Sequence, residues 1–101
     1  MYAMPIAFRA SGRTERAPEW LDARVTIDTS TALDLLAFLG LEREEWGACE
    51  ANDLAARLRR AQWPSRLVPN SLRPHLGLLL DVAVRARDGY VLFTDECEAA
   101  R

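Results

Sequence analysis

The chain has 101 residues, 50% of them hydrophobic and 28% charged, with a net charge of −2. That length fits one small globular domain with one real core, and the near-neutral balance gives no global basic field to draw in nucleic acid. No apolar run approaches the roughly 20 residues of a membrane span, and the start lacks a charged segment leading into a long apolar one, so neither membrane insertion nor export is expected and the cytoplasm is the expected location.

Residues 1–19 are expected to be loosely ordered. Within them Ile6, Ala7 and Phe8 follow Pro5 and fit a short strand at a sheet edge. Residues 11–19, SGRTERAPE, are polar, contain Gly12 and Pro18, and fit an exposed loop. Apolar content restarts at Trp20 and Leu21. From Arg24 to Asp28 the chain alternates, with Val25 and Ile27 on one side and Arg24, Thr26 and Asp28 on the other, the period of a half-buried strand.

Thr29, Ser30 and Thr31 are helix-start residues. With Thr31 as N-cap, Asp34 falls at the third helical position, a box-like pair that suits the dipole. Leu33, Leu35, Leu36, Phe38 and Leu39 make the helix mostly buried. Gly40 ends it, and Leu41 is placed to pack back in a Schellman contact. Glu42–Trp46, EREEW, fits a single helical turn or a loop. A second amphipathic helix runs from about Glu50 to Gln62, with Ala51, Leu54, Ala55, Leu58 and Ala61 on one face. Glu50 and Asp53 sit at its start and Arg57, Arg59 and Arg60 in its C-terminal half, the charge order a helix dipole favours. Trp63-Pro64 stops it, and 64–70 is a connector.

The densest apolar stretch is Ser71–Thr94. Ser71 or Asn70 is a cap residue, Pro74 fits the first turn, and Leu72, Leu76, Leu79, Leu80 and Ala83 share a helix face that Leu78, Val82 and Val84 widen. So wide an apolar arc predicts a central helix touched on more than one side. Gly77 inside it costs about 1 kcal/mol against alanine, which suggests close approach of a neighbouring backbone. Gly89 fits the left-handed position after the helix, and Tyr90–Thr94 a buried strand. Residues 95–101 are expected to fray. The elements assemble as an α+β fold, three helices packed on a small two- or three-stranded sheet in β-α-α-α-β order, with 24–28 and 90–94 in one sheet.

Four groups of residues carry chemistry. Between Asp53 and Asp81 there is no acidic residue, while Arg57, Arg59, Arg60, Arg66 and Arg73 lie there with His75 and Trp63. Arginines around an aromatic suit phosphate and a stacked base, so Arg57, Arg60, Arg66 and Arg73 are candidate anion-binding residues, although dipole-favourable arginines on a solvated helix face account for the same pattern. The acidic segment with Glu44, Glu45 and Trp46 directly precedes this interval. With Trp63 it makes a two-signed surface bearing tryptophan anchors, the kind of surface protein partners recognise; at least one of the two tryptophans is expected at the core edge instead.

Cys49 precedes the second helix, but nothing places His75 beside it and no local signature of a catalytic cysteine is present. Cys49, Cys97 and His75 cannot complete a four-coordinate zinc site, so no metal or other cofactor is expected. Asp81 is expected to pair with Arg85 one turn on. No P-loop, dinucleotide fingerprint or serine elbow appears. The function expected is that of a small non-enzymatic module that binds a protein partner, in the manner of an inhibitor or immunity protein. An anion or nucleic-acid binder is the alternative, and self-association would hide exposed sheet edges.

Overall fold

The computed structural model describes residues 5–12, 19–61 and 68–95. Among these the order is β1 (Ile6–Gly12), β2 (Glu19–Ile27), α1 (Thr29–Phe38), β3 (Gly47–Glu50), α2 (Ala51–Ala61), α3 (Arg73–Ala86) and β4 (Tyr90–Asp95). The fold is α+β, as the sequence predicts. Its sheet, however, has four strands in the order β2-β1-β4-β3, and every neighbouring pair is antiparallel.

The first segment is the largest correction. Ile6–Phe8 are not a short edge strand but the start of β1, which lies between β2 and β4. Ile6, Ala7, Phe8, Ala10 and Ser11 are all buried, the pattern of a strand with both faces covered and both edges paired. Strands 24–28 and 90–94 do share one sheet, but β1 separates them. The alternating strand also begins earlier than predicted, at Glu19.

Cross-strand partners point to the same face of a sheet. On one face Ile6 pairs with Ile27, Phe8 with Val25 and Phe93, and Val91 with Ala10 and Cys49. These join Leu35, Leu36, Leu54, Leu58, Leu76 and Leu79 from the three helices in a single apolar cluster. Phe8 and Phe93 stack at its centre, ring centroids 5.2 Å apart. The opposite face carries Ala7, Arg9, Trp20, Arg24, Thr26, Tyr90 and Leu92, and none of the described sheet residues in the buried cluster lies on it.

Helix starts and stops explain where the elements meet. Asp28, not Thr31, is the N-cap of α1, and its carboxylate accepts from Thr31 N at 3.1 Å, Thr31 Oγ1 at 2.9 Å and Ser30 Oγ at 3.0 Å. At the other end the predicted Schellman motif is present. Leu41 N donates to Leu36 O at 2.8 Å, Gly40 N donates to Ala37 O at 3.0 Å, and Gly40 has φ +78°.

Helix α3 starts at Arg73 without a side-chain cap, so Ser71 and Asn70 do not cap it. The Pro69 carbonyl accepts instead from Leu72 N and Arg73 N. Its apolar arc is narrower than the sequence suggests, since Leu78 is 56% and Val84 47% exposed. Helices α2 and α3 run antiparallel: Ala51 N donates to Gly89 O at 3.0 Å, and Asn52 Nδ2 to Asp88 Oδ1 at 3.0 Å, so the start of α2 lies at the end of α3.

Candidate functional site

The acidic segment is a loop, not a helical turn, and it joins α1 to β3. Its base is fixed by the Schellman motif and by Leu41, which packs on the core. Beyond Leu41, residues Glu42–Trp46 are all exposed, and Trp46 is 73% exposed. Arg43 reaches back to Asp34 at 3.3 Å, an exposed pair that contributes little energy. A hydrogen bond to Glu42, together with its like charge, holds the Glu44 carboxyl above the ordinary glutamate range. The loop therefore displays an indole inside a concentrated negative field, and of the two tryptophans Trp46 is not at the core edge. Trp63 and Arg66 lie outside the described residues.

The remaining arginines are divided. Arg57 and Arg60 line one open groove of about 330 Å³ with Phe38, Leu39 and Ala61, where the end of α1 meets α2. Arg57 is engaged in structure: Nε donates to Asp53 at 2.8 Å and Nη1 to the Leu39 carbonyl at 2.9 Å. Arg60 turns back toward the Ala56 carbonyl. Arg73 does not line the groove; its Nη2 donates to Val68 O at 3.1 Å. The antiparallel arrangement of α2 and α3 does bring Arg60 and Arg73 to one end of the molecule.

Cys49 sits on the core face of β3, directly before α2. Burial pushes its thiol up, Asp53 adds to that, and Arg57 only partly opposes it. This is the reverse of what an activated nucleophile needs. His75 is half-buried in the first turn of α3, and among the described residues its buried Nδ1 has no hydrogen-bond partner. Asp81 pairs with Arg85 Nε at 2.9 Å, as the spacing predicts. Among the described residues no group of three or more His, Cys, Asp or Glu is placed to hold a metal ion, and no helix is long and apolar enough to cross a membrane.

One cluster is absent from the sequence-based expectations. On the face opposite the apolar cluster, the Arg9 guanidinium lies 3.9 Å from the centroid of the Trp20 ring, and Trp20 is 46% exposed. Extending the alternation of β2 back from Arg24 would have put Trp20, Asp22 and Arg24 on this side. No family model, curated protein or solved structure matches the chain.

Proposed function

We propose that the chain is a small non-enzymatic module that binds a protein partner through the α1–β3 loop. Trp46 carries this reading: a large apolar ring, 73% exposed, on a loop whose base is tied to the core. Tryptophan is the residue that gains most on entering a partner's pocket, and a loop held at its base loses less freedom on binding. Glu42, Glu44 and Glu45 around it favour a basic partner surface, which would relieve the repulsion between Glu42 and Glu44. The raised Cys49 thiol supports the non-enzymatic part of the reading. The test is partner capture by wild type and by Trp46→Ala with thermal stability measured alongside. Capture lost at unchanged stability is the expected result, and capture retained by Trp46→Ala overturns the role of the loop.

A second reading, binding of an anion or a nucleic acid by Arg57, Arg60, Arg66 and Arg73, is supported by the groove that Arg57 and Arg60 share above Phe38 and Leu39. The two hydrogen bonds Arg57 already makes weigh against it. It predicts oligonucleotide affinity that falls steeply with salt, and absence of such binding removes it.

A further inference from the structure

The two edges of the sheet are unequal. Strand β3 is only Gly47–Glu50, and short edge strands are one way proteins avoid unwanted pairing. Strand β2 spans Glu19–Ile27, contains neither proline nor lysine, and among the described residues nothing pairs with its outer side. Its apolar side chains Leu21, Ala23 and Val25 are only partly buried on the helix-bearing face. A strand of this length and composition is a template for another strand.

We propose that β2 pairs with β2 of a second copy of this chain, antiparallel about a two-fold axis at Ala23. The strand is self-complementary about that residue. Direct partners must share a face, so the residue numbers of each pair must add to an even sum. Centring on Ala23 puts Asp22 opposite Arg24 of the second copy and Arg24 opposite its Asp22. Leu21 then meets Val25 and Trp20 meets Thr26, each pair also occurring in reverse. Moving the axis one residue either way puts Asp22 opposite Asp22 or Arg24 opposite Arg24. The exposed charges thus set the register, which is what surface pairs do better than supply affinity.

The bulge in β2 adjoins the same axis. Arg9 pairs with Arg24 and Ser11 with Trp20, so two steps along β1 match four along β2, and the extra residues fall among Leu21, Asp22 and Ala23. A bend there would keep a straight partner away, but with the axis at Ala23 the bends of the two copies lie on either side of it, start at it and are related by the two-fold. The result is an isologous dimer with one continuous eight-stranded sheet, helices of both copies on one face, and the two Trp46 loops at its far ends. This assembly uses the edge away from Trp46 and does not depend on the loop reading.

Light scattering on the full chain decides the oligomeric state, with twice the 11.4 kDa chain mass expected. Arg24→Asp places like charges at both exposed pairs and is expected to give a monomer, whereas Asp22→Arg with Arg24→Asp exchanges the charges and restores the dimer. Because Arg24→Asp also alters the monomer, a second measurement is independent of it. Directly opposite Cα atoms are about 4.5–5.5 Å apart, within disulfide reach, so Ala23→Cys in a Cys49→Ser, Cys97→Ser background should oxidise to a covalent dimer while Thr26→Cys does not. A monomeric wild type overturns the proposal. So does a dimer that survives Arg24→Asp and fails to crosslink through Ala23→Cys.

Discussion

Gly89 lies so close to the carbonyl oxygen of Ser11 that a β-carbon on Gly89 would overlap it, with Ala86 O and the Gly12 carbonyl carbon next nearest. The contact is backbone against backbone, at the point where the α3–β4 turn crosses the end of β1. Gly89 also presents the carbonyl that accepts from Ala51 N at the start of α2. Gly77 is the opposite case. A β-carbon there meets none of the described residues within 4 Å, so no neighbouring backbone among them approaches it and it is simply an exposed helical glycine. Gly89→Ala is therefore expected to destabilise at or above the top of the ~1–3 kcal/mol range for overpacking, because neither backbone can rotate away. Gly77→Ala should stabilise by about 0.5–1 kcal/mol. Urea denaturation midpoints of the two variants should move in opposite directions.

Arg87 closes α3 with φ +51° and ψ −114°, and is the one non-glycine residue with positive φ among those described. An L side chain in such a region carries about 1–3 kcal/mol of strain. Arg87→Gly removes it at the cost of added freedom in the unfolded chain, about 0.5–1 kcal/mol. The net expectation is a gain in stability for Arg87→Gly and none for Arg87→Ala, which retains the β-carbon. Comparing the two melting temperatures separates backbone relief from loss of the exposed guanidinium.

How much of this was legible follows from the range of each interaction. The Gly40–Leu41 stop of α1, the Asp81–Arg85 pair and the span of α2 depend on neighbours within a turn or two, and the sequence states them. The central place of β1 does not follow from Ile6-Ala7-Phe8, because it comes from pairing with Thr26 and Val25 on one side and with Phe93 and Thr94 on the other. Gly89 fits the left-handed stop of α3 on local grounds, but the positive φ falls at Arg87, and the constraint on Gly89 comes from Ser11, far away in the chain. The candidate loop was legible in composition through Glu44, Glu45 and Trp46. The exposure of Trp46 was not, since an indole between a charged segment and a strand can turn toward the core or away from it.

Acid titration should reveal two opposing groups near α1. Hydrogen bonds from Thr31 and Ser30 hold the Asp28 carboxyl below the ordinary aspartate range. A lowered acid contributes stability above its unfolded value, near 3.9, and that contribution is lost as pH falls through the folded value. Asp28 is exposed, so Asp28→Ala should cost near the lower end of about 0.5–2 kcal/mol at pH 7, with the difference vanishing at the lowest pH. Glu44 behaves in the reverse sense. Its raised carboxyl disfavours the fold above its folded value and ceases to do so once protonated. Glu44→Gln should therefore match or slightly exceed wild type at pH 7 and converge with it on acidification. Denaturant midpoints of both variants across pH 2.5–7, an experimental range set around ordinary carboxylate values, check the two signs.

Arg57 is predicted to act as a strut between helices before it acts as a ligand. Its guanidinium joins Asp53 on α2 to the Leu39 carbonyl at the end of α1, and a β-carbon on Gly40 would stand 3.1 Å from the same Nη1. Lysine has a single compact head and cannot span two acceptors in these directions with a planar fork. Arg57→Lys and Arg57→Ala should both destabilise, by about 1 kcal/mol, since the side chain is partly exposed and its bonds are screened accordingly. Amide exchange should speed up at Gly40 and Leu41 more than elsewhere, because those N–H groups close the helix end that Arg57 holds. If oligonucleotide binding is observed, Arg60→Ala should reduce it with little effect on the melting temperature. Arg57→Ala should lower the melting temperature whether or not an anion binds.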